Sequence, residues 1–199
     1  KEDLSKDLIY LSGKNKNINV SKIDPTSELE MNQLATQLDN DKIKFDLIIN
    51  SVGFLGDDDI SPEKSLRDIK MENLIHSFTV NCTVSAILAK EFEKLLNKKN
   101  GNMLVNLSAK VGSIDDNKMG GWYSYRASKA ALNMIAKNIS IEFRRKKNNC
   151  IVLAIHPGTT RTNLSEKFIY NTSYKVHSPN ETAGNIIKLM QGRTIEDSG

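Results

Sequence analysis

The chain has 199 residues, of which 39% are hydrophobic and 26% are charged, a composition typical of one soluble globular domain. Its 28 basic and 24 acidic side chains give a net charge of +4, and the basic residues are scattered along the sequence, which argues against a nucleic-acid partner. The N-terminus lacks the apolar core of a signal peptide and no run of about 18 apolar residues occurs, so we expect a cytoplasmic protein without a membrane segment.

Apolar runs of strand length alternate with amphipathic stretches of helix length, a pattern that predicts βαβ units and a parallel sheet covered on both faces. The predicted strands are residues 8–12, 18–23, 45–50, 102–108 and 150–156. The predicted helices are residues 27–38, 71–98, 123–146 and 181–191. No repeat or linker interrupts this order, so residues 1–199 are expected to form one domain.

Both ends of this predicted sheet are expected to be incomplete. A dinucleotide-binding sheet normally opens with a strand, a glycine-rich turn and a helix whose N-terminus holds the pyrophosphate. Here the first glycine is Gly13, the residues after it lead to another predicted strand, and no GxGxxG motif occurs. The segment 192–199 stops where a further strand would be expected. The sequence therefore predicts a Rossmann-like, doubly wound parallel sheet that is truncated at both ends.

Tyr125 and Lys129 are four residues apart in a predicted helix, so both side chains would lie on one face within reach of a shared ligand. A phenol with a pKa of about 10 is a poor acid or base at neutral pH, and an adjacent ammonium would favour the phenolate and lower that pKa. The pair could then act as a general acid and base. The same spacing also occurs by chance in many helices.

The surroundings of this pair resemble the short-chain dehydrogenase/reductase family. That family places YxxxK after a strand ending in Asn-hydrophobic-Ser-Ser and continues it as Ser-Lys-Ala-Ala-Leu. The segments that carry the resemblance are Asp46-Leu47-Ile48-Ile49-Asn50-Ser51-Val52-Gly53, Val105-Asn106-Leu107-Ser108, Tyr125-Arg126-Ala127-Ser128-Lys129-Ala130-Ala131-Leu132 and His156-Pro157-Gly158-Thr159-Thr160-Arg161-Thr162. Within the family, Ser-Ala-Lys-Val-Gly-Ser-Ile and Gly-Gly-Trp-Tyr-Ser-Tyr are similar to the branch that contains carbonyl reductases and C-signal-type proteins.

The resemblance implies a catalytic role for three residues. Tyr125 would be the general acid or base, Lys129 would lower the pKa of the tyrosine and hold the cofactor ribose, and Asn81 would support a proton-relay water beside the lysine. An oxidoreductase that interconverts a carbonyl compound and an alcohol is the function that these roles imply. The alternative is a catalytically weak or inactive member that acts as a nucleotide-binding or signalling protein.

Further matching residues are implied in cofactor binding. Asp24 would border the adenine, and a loop near the nicotinamide amide would contain Pro157, Thr159, Thr160 and Thr162. The turn beside the ribose would contain Asn50, Val52 and Gly53. Each also has a purely structural interpretation, because Asp24 can cap the following helix, Asn50 and Gly53 can form a tight turn, and the Pro157 loop can exist without a ligand.

One position departs from the family pattern. Ala109 stands where the family usually has the serine that donates a hydrogen bond to the substrate oxygen, and loss of one such donor typically lowers the rate about 100- to 1000-fold. Ser108 is the adjacent candidate donor, although it would point to the opposite face of an ideal strand. Ser113, in a loop, is the other candidate. The sequence does not choose between them.

The partners follow from the remaining features. Lys14, after the predicted strand 8–12, has no acidic residue beside it and could meet a 2′-phosphate, which favours NADP over NAD. No metal is expected, because Cys82 and Cys150 have no CxxC spacing and no nearby histidines.

The predicted helix 71–98 is apolar on so many sides that it needs a second covering surface. Since the family commonly pairs this helix across a subunit interface, we expect a homodimer or homotetramer and a small carbonyl or alcohol substrate.

Overall fold

A three-stranded parallel sheet forms the centre of the protein in a computed structural model that describes residues 6–97, 101–170 and 175–199. The strands β1 (Leu47–Asn50), β2 (Met103–Leu107) and β3 (Ile151–Ile155) lie in that order, with Asn50 opposite Asn106 and Leu107 opposite Ile155. Parallel neighbours require crossover connections, which the intervening helices provide. The predicted strands 45–50, 102–108 and 150–156 are confirmed; the first begins two residues later than predicted, and the other two are one residue shorter at each end.

Helices pack on both faces of β2 and β3, whereas Leu47 and Ile49 of β1 are 40% and 45% exposed. The α-helices in the described part of the chain are α1 (Lys6–Lys14), α2 (Glu28–Asn40), α3 (Met71–Phe78), α4 (Val84–Phe92), α5 (Tyr123–Arg145) and α6 (Pro179–Gln191). The short strands β4 (Thr159–Thr160) and β5 (Val176–His177) form a separate parallel pair. Among the described residues, no helix has both the length and the apolar character that crossing a membrane requires.

Alternate residues of the central strands pack against opposite layers of helices. Leu104 and Val152 pack with Phe143 of α5, whereas Val105 and Leu153 pack with α6 on the other face. Because successive side chains of a strand point to opposite faces, a sheet covered on both sides has apolar residues at consecutive positions. This two-sided packing confirms the predicted α/β, Rossmann-like class.

The two N-terminal strand predictions were wrong. Residues 8–12 lie inside α1, and residues 18–23 have no regular secondary structure and pair with no strand in the described part of the chain. The run Leu-Ile-Tyr-Leu does not alternate between apolar and polar residues, so its length and hydrophobicity fit one helical turn as well as a strand. Ile23 packs instead on the cluster between α2 and α4.

The predicted helix 71–98 is interrupted. A π-helical turn, Thr79–Thr83, separates α3 from α4, and a 3₁₀ turn, Glu93–Leu95, follows α4. The predicted end at Lys98 lies outside the described residues. A π-turn adds a residue to the helix and turns its side chains out of register, and such turns are frequent at functional sites. Asn81 lies in this turn and is 1% exposed.

Candidate active site

The first turns of α5 place Tyr125 and Lys129 at the carboxyl end of the sheet. Lys129 is only 3% exposed, and its Nζ donates a hydrogen bond of 3.0 Å to the backbone oxygen of Leu107, the last residue of β2. The same Nζ lies 5.8 Å from the centroid of the Tyr125 ring. The structure thus brings together the two residues that the helical spacing predicted on one face.

Burial moves the pKa of each group away from its ordinary value. Removal from water raises the pKa of Tyr125 to about 12 and lowers the pKa of Lys129 to about 8, because burial penalises the charged form of each side chain. This rise in the pKa of Tyr125 is opposite to the sequence-based expectation that the ammonium of Lys129 would lower it. At neutral pH the phenol keeps its proton and the amine its charge, so Tyr125 is a proton donor.

Asn81 connects the loop after β1 to the start of α5. Its Oδ1 accepts a hydrogen bond of 2.7 Å from the amide of Phe54, and its Nδ2 donates to the Phe54 oxygen over 2.7 Å and to Ser128 Oγ over 3.0 Å. Ser128 Oγ in turn donates to the backbone oxygen of Tyr125 over 2.9 Å. Both amide hydrogens of Asn81 are therefore used within the protein, and its side chain fixes the distance between the loop and the helix.

Gly53 lies beside Asn81 and Lys129. A Cβ atom at Gly53 would be 3.6 Å from both Asn81 Oδ1 and Lys129 Nζ. An ammonium has three N–H donors, and Leu107 is its only hydrogen-bond acceptor among the described residues, which leaves donors for the hydroxyls of a ligand. Open α/β sheets bind ligands at the carboxyl ends of their strands. These residues therefore fit a ribose, the group that the family resemblance implies here.

A buried amide network holds the ends of β1 and β2 together. Asn50 Nδ2 donates to Asn106 Oδ1 over 3.0 Å, and Ser85 Oγ of α4 donates to the same oxygen over 2.8 Å. Asn50 Oδ1 accepts a hydrogen bond of 3.1 Å from the amide of Val52. The side chain of Asn50 thus forms hydrogen bonds that shape the turn, which is the structural role that the sequence also allowed for it. Gly53, three residues later, is the turn residue that lies next to Lys129.

Ser108 does not turn towards Tyr125. Its Oγ donates a hydrogen bond of 2.6 Å to Oδ1 of Asn133, which is eight residues after Tyr125 and therefore about 12 Å further along the axis of α5. Ser108, Ala109, Ser113 and Asn133 all line one open cleft of about 370 Å³. The hydroxyl proton of Ser108 is committed to Asn133, so Ser108 does not replace the donor missing at Ala109. Ser113 remains the other candidate, because its Oγ accepts a hydrogen bond of 3.3 Å from the amide of Asp116 and this bond does not use its hydroxyl proton.

Lys14 and Asp24 have local partners. Lys14 ends α1, where its Nζ donates to the hydroxyl of Tyr10 and lies 4.4 Å from the centroid of that ring. The strand that was to place it beside the ribose is absent, so the prediction for Lys14 loses its structural basis. The carboxylate of Asp24 accepts hydrogen bonds from the amide and hydroxyl of Thr26, at 2.9 and 2.6 Å, in the turn before α2.

The segment after β3 contains the residues predicted near the nicotinamide. Pro157 precedes β4, the hydroxyls of Thr160 and Thr182 lie 2.8 Å apart, and the amide of Thr162 donates to Ser165 Oγ over 3.1 Å. This segment leads to Phe168, whose ring lies 5.4 Å from that of Trp122 at the start of α5. The loop and the helix that carries Tyr125 are therefore in contact.

Sequence reasoning missed three residues that shape this site. Gly112 lies against α5, and a Cβ there would be 2.8 Å from the carbonyl carbon of Lys129. Ser128, inside the YxxxK motif, is fully buried and joins Asn81 to Tyr125. Glu63 is a carboxylate buried beneath the start of α5. Gly112 and Ser128 lie within segments that carry the family resemblance, whereas nothing local in the sequence distinguishes Glu63.

Comparison with known proteins agrees with this arrangement. The model of the short chain dehydrogenase family matches residues 1–172. The 1-hydroxy-2-glutathionyl-2-methyl-3-butene dehydrogenase of Rhodococcus sp. (strain AD45) is 32% identical over 178 residues, which are 89% of this chain and 73% of that protein. C-signal of Myxococcus xanthus is 25% identical over 154 residues, covering 77% of this chain and 85% of that protein.

A solved structure shares the fold. The NADPH-bound carbonyl reductase from chicken fatty liver superposes with a TM-score of 0.84 over 97% of this chain and 74% of that one, at 22% sequence identity. At 22% identity this similarity establishes only that the two proteins share a fold. Any comparison of their sites depends on the motif residues that match.

Proposed function

Because the chain belongs to the short-chain dehydrogenase family, we propose that it is an NADP(H)-dependent oxidoreductase that interconverts a carbonyl compound and an alcohol. One observation carries this proposal. The buried ammonium of Lys129 lies one helical turn from the protonated phenol of Tyr125, beside Gly53 at the carboxyl end of the sheet. A proton donor and a ribose-binding cation are thus adjacent, as hydride transfer to a carbonyl requires.

In the direction of reduction, Tyr125 donates its proton to the carbonyl oxygen of the substrate. A bound nicotinamide would supply the hydride that the carbonyl carbon receives, so the product is an alcohol. Tyr125 is left as a phenolate, and the positive charge of Lys129, 5.8 Å from the ring centroid, stabilises that anion. Oxidation of the alcohol uses the same two residues in reverse.

The other residues position this pair. Asn81 fixes the loop containing Gly53 against α5 through Phe54 and Ser128. Both amide hydrogens of Asn81 are bonded within the protein, so the proposed relay water would be held by an oxygen atom of Asn81 as acceptor. Asn50 and Val52 shape the turn on the ribose side, and the loop of Pro157, Thr159, Thr160 and Thr162 is proposed to contact the nicotinamide end.

The preference for NADP rests on the structural relative that holds NADPH. Lys14 no longer supports it, because that side chain lies at the end of α1 and donates to Tyr10. NAD is the alternative cofactor. Side-by-side titration with NADPH and NADH decides the question, and tighter binding of NADH would overturn the preference without affecting the roles of Tyr125 and Lys129.

The test is oxidation of NADPH with a panel of aldehydes and ketones. Tyr125→Phe should reduce kcat by about 100- to 10000-fold, the range that a general acid supplies. The matched control is Tyr123→Phe, which removes a hydroxyl from the same turn of α5 and should leave kcat within about twofold. Equal turnover by the wild type and Tyr125→Phe would overturn the proposal.

A second candidate is a nucleotide-binding or signalling protein without useful catalysis. Two observations favour it: Ala109 has no donor, and the proton of Ser108 is committed to Asn133. The similarity to C-signal is compatible with it, whereas retention of both Tyr125 and Lys129 argues against it. Tight NADPH binding in calorimetry, combined with trace turnover that is the same in the wild type and Tyr125→Phe, would establish this alternative.

A further inference from the structure

The helix that carries Tyr125 begins in an unusual way. Gly120, Gly121 and Trp122 have φ values of +67°, +64° and +50°, so three consecutive residues are left-handed immediately before α5. For Trp122 this conformation costs about 1–3 kcal/mol and persists only where the surroundings enforce it. The N-cap position is also Trp122, whose indole makes no capping hydrogen bond. The start of α5 therefore lacks a local cap.

Glu63 supplies the missing cap from a distant part of the sequence. Its carboxylate accepts a hydrogen bond of 3.1 Å from the amide of Ser124 and another from the Ser124 hydroxyl. Its backbone oxygen accepts a hydrogen bond of 2.5 Å from the amide of Trp122. One residue thus binds two of the amides that a helix N-terminus leaves without partners, where a carboxylate also offsets the positive end of the helix dipole.

The loop that precedes Glu63 in the sequence has internal contacts of its own. Glu63 itself is 3% exposed and Leu55 is 8% exposed. Asp57 Oδ1 accepts a hydrogen bond of 2.7 Å from the amide of Ile60, and a Cβ at Gly56 would be 2.6 Å from the Ile60 oxygen. The backbone before Glu63 is therefore held by contacts within its own loop, and the hydrogen bonds of the carboxylate itself come from Ser124 of α5.

The capped residue is adjacent in sequence to the proposed proton donor. Ser124 directly precedes Tyr125, and the ring of Trp122 meets the Tyr125 ring edge-on with the centroids 6.2 Å apart. Lys129 is anchored separately, on the Leu107 oxygen, and Gly53 lies beside it and Asn81. Loss of the cap would therefore release the phenol while leaving the proposed ribose site in place.

We propose that Glu63 is a positioning residue that fixes the first turn of α5, and with it the Tyr125 phenol, relative to Lys129. This inference rests on the proposed function. Since a misplacement of about 1 Å can lower a rate about 100-fold, Glu63→Ala should reduce kcat by about 10- to 100-fold while the KM for NADPH stays within about threefold.

Three variants test the geometry. Glu63→Gln keeps an oxygen for the Ser124 amide and gains an N–H that the Ser124 hydroxyl can accept, so it should recover most of kcat. Ser124→Ala removes one of the hydrogen bonds and should give an intermediate loss. Asp197→Ala is the matched control, because its carboxylate accepts a hydrogen bond of 2.8 Å from the amide of Thr194 and closes a turn that carries no proposed site residue. Its kcat should equal that of the wild type.

Trp122 provides a readout that does not depend on activity, because it is the only tryptophan in the chain. Glu63→Ala should shift its fluorescence to the red and speed hydrogen exchange at the Ser124 amide, and Asp197→Ala should change neither. A Glu63→Ala variant with wild-type kcat and wild-type Trp122 emission would overturn the inference, as would equal losses of kcat in Glu63→Ala and Glu63→Gln. If the wild type shows no Tyr125-dependent turnover, the proposed function fails, and emission and exchange still decide whether Glu63 holds the helix.

Discussion

Burial acts on Tyr125 and Lys129 in opposite directions, and the result suits reduction. The phenol, with a pKa raised to about 12, is a proton donor throughout the neutral range, and the amine, with a pKa lowered to about 8, is charged at neutral pH but close to its titration. Tyr125 therefore stays protonated throughout this range. The group whose charge changes with pH is Lys129, the cation proposed to stabilise the phenolate.

The rate of reduction should consequently depend on pH through Lys129. Because its pKa is lowered to about 8, the ammonium is present below that pH and is lost as the pH rises through it. We expect kcat for carbonyl reduction to be constant near neutral pH and to fall above about pH 8. The measurement is kcat at saturating NADPH and substrate across this range.

The control for this profile is Tyr123→Phe, which should show the same fall. A wild-type profile that stays level to well above pH 8 would show that the charge of Lys129 does not contribute to the rate-limiting step.

Individual site residues differed in how far the sequence could predict them. Helical spacing predicted that Tyr125 and Lys129 lie on one face, and the family resemblance implied their roles. Strand alternation predicted that Ser108 and Ala109 point to opposite faces, in agreement with the hydrogen bond from Ser108 to Asn133. The prediction for Lys14 depended on a strand at residues 8–12, and that segment is helical. Glu63 could not be found, since its partner Ser124 is 61 residues away and no local pattern connects the two.

At the scale of structural elements, the 3₁₀ turn Lys110–Gly112 packs against α5 at Lys129. A Cβ at Gly112 would lie 2.8 Å from the Lys129 carbonyl carbon and 3.0 Å from the Lys129 oxygen. Both are backbone atoms, which cannot give way as a flexible side chain can. Glycine at this position therefore sets how closely the turn approaches the helix.

Gly112→Ala should displace α5 at Lys129. Overpacking of this kind typically costs about 1–3 kcal/mol of unfolding free energy, and the shift of Lys129 should also lower kcat. Urea denaturation and steady-state kinetics measure the two effects.

The matched control is Gly184→Ala in α6, where a Cβ would meet nothing within 4 Å. That substitution should stabilise the helix by about 0.5–1 kcal/mol. Equal unfolding free energies for the two variants would contradict the close contact at Gly112.

The elements that sequence predicted well are those with long or continuous apolar patterns. The three central strands and α5 combine such patterns with turn residues at their ends, so their bounds were nearly correct. The segment 18–23 has strand composition but no partner strand among the described residues, and pairing is what makes a strand. The π-turn at Asn81 could not be predicted, because inserting one residue leaves the apolar character of helix 71–98 unchanged.

At the scale of the whole molecule, the apolar helix that suggested an oligomer is partly covered within the chain. Phe92 is buried, and Leu88 packs with Met31 and Ala35 of α2. This packing weakens the sequence argument for a second covering surface. Large apolar side chains remain exposed on α3 and α5, namely Met71, Ile75, Met134 and Ile141.

A homodimer or homotetramer remains our prediction. Light scattering should give a mass of two or four chains, and Met134→Glu, a change at a residue that is 61% exposed, should shift the mass towards the monomer while circular dichroism shows that the chain stays folded. Leu66→Glu, which changes a 71% exposed residue on a short 3₁₀ turn, is the control and should leave the mass unchanged. A wild-type monomer at all concentrations would contradict the prediction.

The account rests on hydride transfer to a carbonyl with Tyr125 as the proton donor. The most direct test uses NADPH that carries deuterium at both C4 positions of its dihydronicotinamide ring, with mass spectrometry of the alcohol formed from the best substrate. We predict deuterium on the carbinol carbon with the wild type and with Tyr123→Phe, and at least about 100-fold less labelled alcohol with Tyr125→Phe. An alcohol without deuterium, or equal labelling by the wild type and Tyr125→Phe, would contradict it.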